Sequence, residues 1–233
     1  MEGKLRSITK RIHWSLILKA VAVGASWVYL PEWLSVALAI FFYFSSFFRI
    51  RHMGVPFLSA LILAHVLGQN ILGGLFLAAC LFLVFGLKEL VFIDRRSAYA
   101  GLIFLIFFFA SFLLYENLDA WNGWFPVKGL LFAWLFWALV RGFLLEAEEG
   151  LPERTPLALG ALSFVFWEII MVIAFLPLDF LYQAGIAIFM AFVFFEWLVD
   201  YSRGNLAKNK ILLYISLLFI LVTLIFAFAK WGL

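Results

Sequence analysis

Glu168 stands where ionisation is hardest to support. It is the only charged residue in the apolar run 155–176. If that run is a helix, Glu168 lies about 13 residues along it, roughly 20 Å from the near end. A charged group at a bilayer centre costs about 2.5–3.5 kcal/mol on insertion scales. The carboxyl must therefore hold a proton, a cation or a protein partner. In one reading it carries an ion, proton or substrate group; in the other it is a hydrogen-bonded carboxyl that fixes helix packing. His65 sits about 11 residues into another apolar run, at comparable depth. Gln69, four residues on, shares its helix face, and Asn70 follows near the end. Glu168, His65, Gln69 and Asn70 are thus the candidate substrate- or ion-binding set. The expectation is one interior polar layer joining Glu168 to His65 or Gln69. A membrane His that merely hydrogen-bonds a neighbouring helix is the plainer account of His65.

Other ionisable residues suggest less. Lys19, Arg141 and Glu196 lie nearer one membrane surface, where long side chains reach the headgroups. Lys19 and Glu196 are a candidate pair. The acidic stretch 146–154 (EAEEGLPER) suits a solvated turn, and Glu116, Asn117 and Asp119 suit a polar loop. Cys80 is the only cysteine, which excludes an intrachain disulfide and a cysteine-based metal site. No HExxH helix, phosphate-cradling Gly-Lys-Ser/Thr loop or GxGxxG occurs, and only three His are present. Neither a metal nor a cofactor is expected.

The elements that position these residues follow from composition. The chain is 67% hydrophobic and 13% charged, with thirty Phe and ten Trp. Globular proteins carry about 25% charged residues, so half that leaves too little polar surface to face water. The runs are continuously apolar rather than alternating, which argues for helices over barrel strands. Spans of about 20 apolar residues fall at 12–30, 33–50, 54–69, 72–93, 97–115, 125–145, 155–176, 178–200 and 209–231. The fold class is all-α: one integral membrane domain over 1–233 with about nine spanning helices. Pro31, Pro56, Pro126, Pro156 and Pro177 fall at or just before helix starts, where a missing N–H costs nothing. The break at Gly68–Gly74 leaves open whether 54–93 forms two spans or includes a re-entrant segment. Gly68, Gly73 and Gly74 suit either that turn or a close backbone approach.

Charge sets the orientation. With the N-terminus in the cytoplasm, fourteen of the seventeen Lys and Arg fall on the inner side; only Lys128 and Lys230 fall outside, and Lys19 lies within a span. An odd number of spans then puts the C-terminus outside. The basic stretch Met1–Arg11 with the following apolar run lacks a cleavage site and reads as a first permanent helix. Arg49, Arg51, Arg95, Arg96, Lys208 and Lys210 are expected to contact lipid headgroups. Trp27, Trp33, Trp121, Trp124 and Trp231 lie near the outer ends, as an interfacial belt requires. The basic residues are dispersed rather than gathered into a patch, so no nucleic-acid partner is implied. The expected partners are membrane lipids and other membrane subunits, and the expected location is the cell membrane.

Two short resemblances stop at single motifs. Gly150-Leu151-Pro152-Glu153 with Pro156 resembles the start of the motif of undecaprenyl pyrophosphate phosphatases, but Leu157-Ala158-Leu159-Gly160 replaces their Ser-rich stretch and Gly-His. Gly24-Ala25-Ser26 with Ala64-His65 and Gly68 resembles the Ser and His motifs of rhomboid proteases, yet Trp27 follows the Ser where they carry Gly. Two function classes remain. One is a non-enzymatic membrane component: transporter, accessory subunit or scaffold. The other is a membrane enzyme acting on a lipid. The short loops and the missing catalytic constellations favour the first. A transporter should show a connected polar path, and a scaffold a dry core with an exposed apolar groove.

Overall fold

The computed structural model describes residues 2–45, 53–89, 92, 94–116, 124–147, 154–205 and 207–228, excepting the side chains of 2–13, 147, 221, 224, 225 and 228. The described residues form nine helices and no strand: α1 (Glu2–Tyr29), α2 (Glu32–Ser45), α3 (Gly54–Leu67), α4 (Ile71–Lys88), α5 (Arg95–Glu116), α6 (Phe125–Ala147), α7 (Thr155–Ala174), α8 (Phe180–Ser202) and α9 (Lys208–Phe228). Each contains most of one apolar run, and α1 also takes in the basic residues before its run, starting ten residues earlier. Among the described residues five helices, α4 to α8, are long and apolar enough to cross a membrane. The chain divides into two compact units, Met1–Ile106 and Phe107–Leu233, with the boundary inside α5.

The first unit is organised by α1 against α4. Leu16, Ala20, Val23 and Trp27 are buried at helical spacing on α1. At the centre of the contact two glycines face each other. A Cβ on Gly24 would lie 2.7 Å from the Gly74 carbonyl oxygen, and one on Gly74 would lie 2.7 Å from that of Gly24. Only hydrogen fits at either position, so the two backbones touch directly. This settles the role of Gly74 as a close approach. The break that precedes it is a turn between two helices, α3 and α4. Gly68 makes that turn at φ +84°, a left-handed conformation that glycine adopts without a steric cost.

The second unit has a phenylalanine core. Phe107, Phe132, Phe136 and Phe166 are buried, with ring centroids 4.9–5.7 Å apart in tilted or edge-on pairs. Gly129 packs α6 against Trp167 and Ile170 of α7. The Tyr115 hydroxyl donates to the Ile170 carbonyl at 3.2 Å, tying α5 to α7. Gln183 of α8 donates to the Ile173 and Leu176 carbonyls at 3.2 and 2.9 Å, tying the start of α8 to the end of α7.

Replacing Gly74 by Val should push α1 and α4 apart and destabilise the protein by about 1–3 kcal/mol, the usual range for overpacking. Gly101 in α5 has open space around its Cβ position, so Gly101→Ala should hold or raise the melting temperature in detergent. Equal effects of the two substitutions would show that the backbone contact is not limiting.

Candidate functional site

His65, Gln69 and Asn70 come together around the turn from α3 to α4. His65 lies in the last turn of α3, only two residues from its end. At 14 residues α3 is about 21 Å long, short of a hydrocarbon core. His65 therefore stands near a helix end, with its side chain 67% exposed. The ring Nδ1 pairs with the Glu32 carboxylate. Glu32 opens α2, the helix end whose dipole favours a carboxylate, and His65 lies in the last turn of α3.

The neighbouring groups hold the turn. Gln69 donates to the Leu30 carbonyl at 3.1 Å, where α1 has ended. Asn70 caps α4: its Oδ1 accepts the Gly73 N–H at 2.7 Å while its Nδ2 donates to the Leu67 carbonyl at 2.8 Å. The Trp27 indole N–H donates to the Gly68 carbonyl at 3.1 Å. Trp27 is fully buried, which removes it from the expected interfacial belt. Trp33 and Trp124 are exposed, whereas Trp121 and Trp231 lie outside the described residues. Every polar contact in this cluster closes a helix end or joins two turns. It is a staple between the α1–α2 and α3–α4 turns, with Glu32 the member that sequence reasoning missed.

Glu168 belongs to the second unit and is exposed. Among the described residues it makes no hydrogen bond or ion pair. Within the first unit His65 takes Glu32 and Gln69 takes the Leu30 carbonyl. α7 is 20 residues long, so Glu168 lies about 9 Å from its far end. The expected pairing of Lys19 with Glu196 is also corrected. Lys19 donates instead to Glu89, the C-cap of α4, at 2.6 Å.

Of the six expected headgroup contacts, Arg49 and Arg51 lie outside the described residues. Arg95, Arg96 and Lys208 are exposed. Lys210 bonds Asp200 at 2.7 Å, and the Tyr214 hydroxyl donates to the same carboxylate at 2.8 Å, so this cation clamps α9 to α8. The acidic stretch 146–154 and the loop 117–123 fall mostly outside the described residues. Cys80 is buried. Among the described residues no three His, Cys, Asp or Glu gather into a group that could hold a metal. No protein-family model matches the chain, and neither does any curated protein or solved structure.

Asp94 caps α5 immediately before Arg95 and Arg96, accepting from the Ser97 hydroxyl at 2.6 Å and the Ser97 N–H at 3.1 Å. The Ser97 hydroxyl bond first, then the backbone bond, holds its carboxyl below the ordinary carboxylate value. A depressed folded value means that the cap stabilises above the unfolded pKa and is lost as pH falls through the folded one. Asp94→Ala should therefore lower the melting temperature at neutral pH, with the gap closing in acid. A gap independent of pH would show that the carboxylate is not the cap.

Glu168→Gln and Glu168→Leu should each leave thermal stability in detergent within about 0.5 kcal/mol, the range of surface substitutions. A loss above about 2 kcal/mol from either would show a structural partner.

Proposed function

We propose that this chain is a multi-pass integral membrane protein of the cell membrane, acting as a non-enzymatic accessory subunit or scaffold. One observation carries the reading: the helices are apolar on the faces they bury and again on the faces they expose. Leu18, Phe41, Phe44, Leu157, Phe164 and Phe219 are among the large side chains left uncovered. Water would not tolerate so much contiguous apolar surface, but lipid would. Inside each unit the buried side chains are mostly apolar. The ionisable side chains Lys19, His65 and Lys210 are tied to Glu89, Glu32 and Asp200. A carrier needs groups that exchange partners along a path, whereas these pairs fasten helices together. Within each unit an apolar core therefore supports the scaffold over the transporter.

The finer topology is part of the same proposal. Nine spans place the N-terminus in the cytoplasm and the C-terminus outside, with α2 and α3 crossing where the bilayer thins to meet them. Support comes from the helix starts. Arg95 and Arg96 open α5, and Lys208 and Lys210 open α9, positions where the helix dipole disfavours a cation. An anionic leaflet would compensate, which makes these residues, with Arg49 and Arg51, an inner headgroup belt. Lys210 contributes less, because Asp200 already neutralises it. His65, Gln69 and Asn70 then serve the outer staple rather than a binding site. The partners are membrane lipids and neighbouring membrane subunits.

A reporter fused after Gly232 should report the non-cytoplasmic side. A cytoplasmic signal there would remove one span from the scheme and reverse the assignment of the later loops.

A further inference from the structure

The outer face of α6 and α7 carries a groove of about 590 Å³. Leu130, Leu131, Trp134 and Trp137 wall it from α6, and Phe164 and Trp167 from α7. It is open to the surroundings, since Leu131 is 61% and Trp134 58% exposed. Its ends differ in charge. One turn beyond Trp137, Arg141 is exposed and holds its guanidinium 4.9 Å from the Trp137 ring centroid. Among the described residues it makes no hydrogen bond or ion pair. At the other end Glu168 follows Trp167, also exposed and unpaired. Gly129 packs on Ile170, and Phe132 and Phe136 on Phe166, so Glu168 is roughly level with residue 131. The cation and the acid are then about 15 Å apart along the helix pair.

We propose that this groove holds an acyl chain of an anionic phospholipid, with the lipid phosphate on Arg141. The inference rests on the membrane reading above and names the ligand of this surface. Its occupant must be apolar along the groove and negative at one end only. A guanidinium lying over an indole is held by its face and keeps its in-plane N–H donors for a phosphate. Glu168 repels a phosphate from the opposite end, so the lipid enters in one sense. With the orientation proposed above, it belongs to the inner leaflet. An apolar helix of a second copy would fill the same walls but would leave Arg141 without an anion.

The test is native mass spectrometry of the full chain released from mixed vesicles of phosphatidylglycerol and phosphatidylcholine with matched chains. The wild type should retain phosphatidylglycerol preferentially. Arg141→Gln should reduce that preference about five-fold, equivalent to about 1 kcal/mol per cation at a charged surface, while still retaining lipid. Leu131→Trp fills the groove from its exposed side and should reduce retention of both lipids. An unchanged preference in Arg141→Gln overturns the phosphate contact. Unchanged retention in Leu131→Trp overturns the groove, as does a dimer that this substitution dissolves. Release of the wild-type chain from membranes by alkaline carbonate would overturn the membrane reading itself, so the two failures are distinguishable.

Discussion

The first unit depends on one backbone contact. Gly24 and Gly74 bring α1 and α4 so close that each carbonyl oxygen occupies the space of the other's Cβ. In lipid, helices gain little from the hydrophobic effect, because the solvent is as apolar as their side chains. Dispersion and polar closure must hold them instead, and both need short distances. The glycine contact supplies the distance. Trp27 then reaches the Gly68 carbonyl, Gln69 reaches Leu30, and His65 reaches Glu32. A staple across two turns follows from one close approach.

The same economy governs charge. Among the described residues, charged side chains join α1 with the end of α4, α2 with α3, and α8 with α9. Lys88 extends the pattern without an acid. It is buried, donates to the Tyr43 carbonyl, and sits 3.6 Å from the Tyr43 ring centroid, while that ring stacks on Phe57. A cation that would be costly alone is held by an aromatic face and a carbonyl. Arg141 and Glu168 stand apart from this pattern, which makes the α6–α7 face the part of the second unit most suited to an external ligand.

The helices were legible in the sequence because continuous apolarity and proline placement act locally. Pro126 and Pro156 occupy first turns, and Pro31 and Pro177 precede α2 and α8. The polar partners were not legible, because they depend on which helices adjoin. Glu32 and His65 are 33 residues apart, and Lys19 and Glu89 are 70 apart. The helix ends were only roughly legible: α7 ends six residues after Glu168, and α3 stops two residues past His65. Gln183 gave no sequence signal at all, since an amide that closes the preceding helix looks like any other polar residue.

In the proposed topology the exposed faces of both units meet lipid while the staple end meets outside water. Single cysteines introduced on a Cys80→Ala background test it directly, read by an impermeant maleimide on intact cells and again in detergent. Cysteine at Glu32 should label from outside in the intact membrane, whereas cysteine at Leu131 or Phe164 should stay unlabelled until detergent replaces the bilayer. Labelling at Leu131 and Phe164 as rapid as at Glu32 in intact cells would contradict the account.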